Sequence, residues 1–173
     1  RKKNSGTNNQ KIKKLMNTQI NDNFKKSSTL FGLGNKLINF INIYNSGKFP
    51  KISMISGKKG IGKSTLINHF LYFIFDKKNY DIDKFSLNPS TNYYTQYELG
   101  VFSNIIYLSG DNFKNIKIED IRNLKSNLLK SSLNNSKRFI ILDDIELFNI
   151  NSLNALLKLI EEPTVNNFFI LID

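Results

Sequence analysis

One stretch of nine residues carries the residue types that bind phosphate. It runs from Gly57 to Thr65 and reads GKKGIGKST, which fits the pattern GxxxxGK[ST]. Glycines let backbone N–H groups converge on phosphate oxygens, and a helix that begins here turns the positive end of its dipole toward the same anion. The pattern predicts a phosphate-binding loop, or P-loop.

The members of this loop have distinct expected roles. Lys63 is expected to reach the β- and γ-phosphates, and Ser64 to place its hydroxyl on Mg²⁺, while Thr65 belongs to the first turn of the helix. The implied ligand is ATP or GTP with Mg²⁺, and a glycine-rich turn that binds nothing is the alternative. The residues expected to hold the nucleotide are Gly57, Gly60, Ile61, Gly62, Lys63, Ser64 and Thr65.

Two adjacent acids end a second informative stretch. The apolar run from Phe139 to Leu142 is typical of a parallel strand buried on both faces, and it ends in Asp143 and Asp144. P-loop enzymes supply a magnesium carboxylate from such a strand end. We therefore predict that Asp143 shares Mg²⁺ with Ser64 and that Asp144 is the general base that polarises the attacking water. Binding is predicted, whereas hydrolysis is left open.

Strands and helices alternate around these two stretches. A first core strand is predicted over 51–56 and a helix over 66–75, and further strands over 104–108, 139–142 and 168–172. Helices are predicted over 33–44 and 118–128. Another helix has Leu153, Leu156, Leu157 and Ile160 on its apolar face and ends at Pro163. This alternation predicts an α/β fold with a parallel sheet.

Two segments do not fit the alternation. Residues 1–28 are basic and poor in apolar side chains, which predicts a flexible tail, with contact to DNA as the alternative. Residues 76–103 are polar and aromatic without a clear period, which indicates an insertion. Its tyrosines, Tyr93, Tyr94 and Tyr97, have the chemistry to stack on bases, but packing against the body of the domain is the favoured interpretation.

Composition excludes several classes of protein. The 173 residues include no cysteine and one histidine, which excludes a disulfide framework and a thiolate zinc site. That histidine, His69, is expected to be half-buried or at the surface, without a role. No apolar run approaches the roughly twenty residues that span a bilayer, and the basic start lacks the apolar core of a signal peptide. We expect a cytoplasmic protein that does not contact a membrane.

A family resemblance is carried by the acidic strand end and by a helical segment shortly after it. Residues 140–144 read IILDD and residues 154–163 read NALLKLIEEP, and together they resemble the signature of the clamp-loader AAA+ family. Weaker likenesses to the same family lie at residues 30–32, 46–50 and 118–122. The resemblance covers residues 29–173. Bacterial DNA polymerase III subunits of the delta-prime type are most similar, and those of the gamma/tau type come next.

The resemblance implies a specific fold and role. The fold would be that of a P-loop NTPase with an AAA+ core, a parallel sheet flanked by helices in three αβα layers. The function would be that of an ATP-binding subunit, with Mg²⁺, in a hetero-oligomeric ring that loads the sliding clamp on primed DNA. Its partners would be the other clamp-loader subunits, the clamp and the DNA. The alternatives are a catalytically silent scaffold subunit and an unrelated P-loop ATPase of DNA repair or viral replication.

The sequence departs from the family pattern in three ways. Asp144 stands where family members carry glutamate, and its side chain is one methylene shorter. The insertion over 76–103 replaces a cysteine-bound zinc module, so no zinc is expected. The domain over 29–173 is expected to stop before the sensor 1, lid and collar regions.

Overall fold

A computed structural model describes residues 27–110, 136–161 and 166–173. The helices are α1 (Gly34–Asn45), α2 (Lys63–Phe75), α3 (Asn92–Glu98) and α4 (Ile150–Glu161). The strands are β1 (Ile52–Ile55), β2 (Tyr80–Asp81), β3 (Ser86–Leu87), β4 (Ile105–Ser109), β5 (Arg138–Asp143) and β6 (Asn167–Ile172). None of the described helices is long and apolar enough to cross a membrane. The helix predicted over 118–128 and residues 1–26 of the predicted tail lie outside the described residues.

Four strands form one parallel sheet in the order β1-β6-β5-β4. The registers are fixed by apolar pairs: Ile52 faces Phe169 on β6, and Ile140 lies between Phe169 and Ile106. Three of these strands, β4, β5 and β6, are buried along their whole length. Strands buried on both faces read as continuous apolar runs, which is why the sequence predicted them. The predicted α/β fold with a parallel sheet is confirmed.

Helices cover both faces of the sheet. Because side chains alternate along a strand, Phe139 and Ile141 pack on one face with α1, α2 and the insertion. Ile140 and Leu142 point to the other face, where they pack in a second cluster with Leu156 of α4. The expected three layers, helix on sheet on helix, are therefore confirmed.

The first strand is less buried than predicted. Residues 51–56 were expected to form a core strand, but Ile52 is 43% exposed and Met54 is 62% exposed. Within the described residues β1 pairs only with β6, and neither side chain joins the apolar cluster beneath α4. This part of the prediction is wrong because a strand covered on one face leaves alternate side chains open to solvent.

The apolar face of α4 is narrower than predicted. Leu156 is fully buried and Ile160 is 4% exposed, but Leu157 is 38% exposed. Consecutive residues on a helix are turned by about 100°, so Leu157 cannot share the direction of Leu156. The inclusion of Leu157 in the core face is wrong, while Leu153 packs against the buried cluster as expected.

The insertion over 76–103 folds against the body of the domain. It contains the antiparallel pair β2–β3 and the helix α3, whose N-cap residue Thr91 accepts a hydrogen bond from the backbone of Tyr94. Tyr93 and Tyr97 are buried in the same cluster as α2. The Tyr72 hydroxyl of α2 donates to the Asn88 carbonyl at 2.7 Å. Packing against the body is confirmed, and burial removes Tyr93 and Tyr97 from any role in stacking on bases.

His69 is a core residue, contrary to expectation. It is fully buried in α2 and lies between Ser27 and Tyr80. A carbonyl oxygen only accepts, so Nε2 donates to Ser27 at 3.1 Å, and Nδ1 accepts from the Tyr80 hydroxyl at 2.9 Å. Burial lowers the pKa of His69, and the bond to Ser27 opposes that shift. The ring ties residue 27, at the edge of the predicted tail, to the core.

Candidate functional site

The P-loop joins β1 to α2 along a path that two glycines permit. Gly60 has a φ of +84° and Gly62 a φ of +92°, which is backbone that residues with a side chain adopt only under strain. Gly62 also accepts the first hydrogen bond of α2, from Leu66 N–H at 2.8 Å. A Cβ at Gly62 would lie 3.3 Å from the Leu33 side chain. The loop therefore requires glycine at both positions.

The Lys63 ammonium lies inside this loop. Its Nζ donates to the Gly57 carbonyl at 2.5 Å and lies 3.3 Å from the Lys58 carbonyl. The Gly57 N–H donates to a carboxylate oxygen of Asp173 at 3.2 Å. The Lys63 ammonium is thus hydrogen-bonded to carbonyl groups of the loop itself. To contact phosphate, Lys63 would have to leave these carbonyls and donate to phosphate oxygens instead.

Ser64 and Asp143 meet over the end of the sheet. Ser64 lies in the first turn of α2, Asp143 is the last residue of β5, and β6 runs between β5 and β1. Asp143 continues the alternation of Phe139 and Ile141, so it shares the face on which α2 packs. The Ser64 hydroxyl donates to Asp143 Oδ2 at 2.8 Å. The two residues that were predicted to share a metal ion are therefore in direct contact.

Asp143 is buried and surrounded by donors. It is 6% exposed, its Oδ2 also accepts from the Tyr107 hydroxyl, and its Oδ1 accepts from Asp144 N–H at 3.1 Å. Burial raises the pKa of Asp143 above its usual range, and the hydrogen bond from Ser64 opposes that shift. A nearby cation would offset the free-energy cost of burying this charge, because it stabilises the ionised carboxylate.

An open cleft of about 600 Å³ lies in front of these residues. This volume is within the range of small-molecule sites. Ile61 is not among the residues that line it, and its side chain is 51% exposed. The lining residues are Gly57, Lys59, Gly60, Gly62, Lys63, Ser64, Thr65, Asp143, Asp144, Glu146 and Asp173.

The residues present fit a magnesium ion that arrives with a nucleotide. A hydroxyl and a carboxylate are oxygen ligands of the kind Mg²⁺ prefers, and here they lie 2.8 Å apart. Within the described ranges, no group of three or more His, Asp or Glu side chains could hold a metal on its own. Mg²⁺ usually completes its shell with water and substrate phosphates. Ser64 and Asp143 would therefore supply only some of the oxygen ligands of the ion.

Asp144 lies in the cleft on a strained backbone. Its φ is +51° and it begins the short 3-10 turn Ile145–Leu147. Gly110, directly after β4, packs closely against the backbone of Asp144. A Cβ atom added to Gly110 would lie 2.1 Å from the Asp144 carbonyl oxygen. The close approach of Gly110 and the turn together fix where the Asp144 carboxylate enters the cleft.

Lys59 within the P-loop and three residues outside it belong to the site but were not predicted. Glu146 and Asp173 line the cleft, and Tyr107 contacts Asp143 from β4. Asp173 comes directly after the last apolar run, so the rule that placed Asp143 at a strand end would also have found it. The contact of Tyr107 depends on the register of β4 against β5, which the sequence does not reveal.

Parallel strands covered on both faces by helices, with the P-loop pattern after the first of them, place this molecule among the P-loop α/β domains, and the fold is consistent with an AAA+ core. Comparison of the sequence with protein families is more specific. The model of the family described as "DNA polymerase III, delta subunit" matches residues 33–173. The chain belongs to this family, and the resemblance to clamp-loader subunits is confirmed.

Curated relatives carry the names of two subunits of the same polymerase. DNA polymerase III subunit delta' of Buchnera aphidicola subsp. Baizongia pistaciae is 28% identical over 127 residues, 69% of this chain and 37% of the relative. DNA polymerase III subunit gamma of Buchnera aphidicola subsp. Schizaphis graminum is 28% identical over 131 residues, 75% of this chain and 34% of the relative. The chain spans about a third of the length of each.

Proposed function

We propose that this chain binds Mg·ATP in the cleft and acts as an ATP-binding subunit of a DNA polymerase III clamp loader. The observation that carries the proposal is the 2.8 Å contact between Ser64 and Asp143 at the mouth of the P-loop. The loop backbone from Gly57 to Thr65 would surround the phosphates, and Lys63 would donate to them. When bound, Mg²⁺ would neutralise phosphate charge, with Ser64 and Asp143 supplying two of its oxygen ligands.

The place in the complex is proposed from family membership. We assign the chain to the delta-prime type, with gamma/tau as the near alternative, in a hetero-oligomeric ring that loads the sliding clamp on primed DNA. Relatives of both names match at 28% identity, so identity does not separate the two types. Co-purification of the full-length protein with the other clamp-loader subunits tests this assignment.

A catalytically silent scaffold subunit is the second candidate. Two observations favour it. The Lys63 ammonium already contacts the carbonyls of Gly57 and Lys58, and Asp144 stands where the clamp-loader pattern has glutamate. Such a subunit would keep the fold and bind nucleotide weakly or not at all. Membership of the polymerase III family favours either of these candidates over an unrelated P-loop ATPase of DNA repair or viral replication.

Titration of a fluorescent ATP analogue in the presence of Mg²⁺ separates the two candidates. We expect Lys63→Ala to weaken binding about 10- to 100-fold, since it removes a charge-assisted hydrogen bond to phosphate. Lys58→Ala is the matched control, because Lys58 is exposed and its side chain does not line the cleft. Saturable binding by the wild type and by the control supports the proposal. The absence of wild-type binding, or equal curves for wild type and Lys63→Ala, overturns it.

A further inference from the structure

Asp143 receives a second hydroxyl besides that of Ser64. The Tyr107 hydroxyl donates to Oδ2, the same oxygen that accepts from Ser64. Tyr107 pairs with Ile141 across β4 and β5, two residues before Asp143, so both side chains lie on the same face of the sheet. A tyrosine ring is long enough to reach such a diagonal neighbour. The contact is a consequence of strand register.

We propose that Tyr107 is a positioning residue that holds the Asp143 carboxylate in the orientation needed for the magnesium ion of a bound nucleotide. This inference rests on the proposed function. With Mg²⁺ bound, the Ser64 oxygen would be a ligand of the ion, so its hydrogen bond alone would not fix the orientation of the Asp143 carboxylate. The Asp144 N–H then fixes Oδ1 and Tyr107 fixes Oδ2.

The position of Tyr107 makes it suited to this task. The residue is 2% exposed, packs in the cluster that includes Ile141 and Tyr97, and lies on a strand that is buried along its whole length, so neighbouring side chains hold its ring. A hydroxyl that donates to a carboxylate forms one of the stronger hydrogen bonds in proteins. Partners that orient metal ligands in this way typically account for 10- to 100-fold in metal affinity.

The same core supplies a matched control. Tyr93 is 8% exposed, belongs to the same cluster, and its hydroxyl has no hydrogen-bond partner among the described residues. Tyr93→Phe and Tyr107→Phe are therefore the same chemical change in the same environment, and only the second removes a contact with Asp143. Thermal unfolding of both variants checks that each is folded.

The test measures ATP affinity with Mg²⁺ and again with EDTA. We expect Tyr107→Phe to reduce the gain in affinity that Mg²⁺ provides by about tenfold and to leave the affinity in EDTA unchanged. Tyr93→Phe should alter neither value. Introduced together with Asp143→Asn, Tyr107→Phe should have no further effect, because the residue acts through that carboxylate. These results support the proposal.

The contrary outcomes are distinct. If Mg²⁺ raises the ATP affinity of folded Tyr107→Phe as much as that of the wild type, this inference alone is overturned. If Mg²⁺ does not raise the ATP affinity of the wild type, the proposed function is overturned and this inference with it. Should Tyr107→Phe not fold, wild-type protein labelled with ¹³C at tyrosine Cζ answers the same question. We expect the resonance of one buried tyrosine to shift when Mg²⁺ is added at saturating ATP, and the absence of such a shift rejects the proposal.

Discussion

The Ser64 hydroxyl donates to Asp143 Oδ2 at 2.8 Å, although 79 residues separate the two along the chain. The contact arises because α2 begins where β1 ends and β5 ends at the same edge, with only β6 between β1 and β5. Neighbouring strands are about 5 Å apart, so a side chain in the first turn of α2 needs to reach across a single strand. The parallel sheet thus brings together a hydroxyl and a carboxylate suited to one cation.

Gly62 provides a test that separates loop strain from ligand binding. We expect Gly62→Ala to destabilise the fold by about 1–2 kcal/mol, the usual cost of a side chain in left-handed backbone, and to abolish ATP binding by displacing the loop. Gly47→Ala is the control, because Gly47 has a φ of +73°, open space around its Cβ and no place in the cleft. Denaturant unfolding measures the first effect and nucleotide titration the second.

The two glycine variants should therefore resemble each other in stability and differ in binding. Gly47→Ala is expected to lose a similar free energy of unfolding through backbone strain while binding ATP like the wild type. Unchanged nucleotide affinity in Gly62→Ala would show that the path of the loop does not matter for the ligand.

His69 predicts a pH dependence of stability. Burial lowers its pKa in the folded protein below 6.5, so the unfolded chain takes up a proton more readily. The free energy of unfolding is expected to fall as the pH drops below about 6.5, until the folded pKa is passed, and to show no loss from this group above that range. Because the chain has one histidine, a single imidazole C2–H resonance reports it directly. An NMR titration midpoint at or above 6.5 is the result that rejects this assignment.

Asp144 leads to a prediction about turnover. Its carboxylate lines the cleft but makes no hydrogen bond to Ser64 in the structure, so Asp144→Asn is expected to keep the ATP affinity of the wild type. We also expect the isolated chain to release phosphate only at the background rate, since Asp144, the proposed general base, is one methylene shorter than a glutamate. Glu146→Gln, which changes another carboxylate of the same cleft, is the control.

A steady-state phosphate assay on the purified protein checks this. Robust release by the wild type disagrees with the prediction, and its loss in Asp144→Asn but not in Glu146→Gln would then identify Asp144 as the base.

The sequence predicted those elements that are determined by short stretches of neighbouring residues. The apolar run over 139–142 and the glycine pattern over 57–65 each reflect one strand or one turn, and both were found where expected. The same local reasoning placed Ser64 and Asp143 at one sheet edge. Their function as metal ligands stays a prediction.

The features that the sequence did not predict depend on contacts between distant segments. His69 is buried because Ser27 and Tyr80 close over it, and Tyr107 touches Asp143 because β4 and β5 pair in one particular register. Met54 is exposed because its side of β1 does not join the apolar cluster beneath α4. Neither residue type nor periodicity along the chain contains this information.

The central claim is that Ser64 and Asp143 act on one cation, and a double-mutant cycle tests it most directly. ATP affinity is measured with Mg²⁺ and with EDTA for wild type, Ser64→Ala, Asp143→Asn and the double variant. We predict that each single change removes most of the Mg²⁺-dependent gain, and that the double variant loses hardly more than either single one. A full Mg²⁺-dependent gain in Asp143→Asn, or losses that simply add, would contradict a shared metal site.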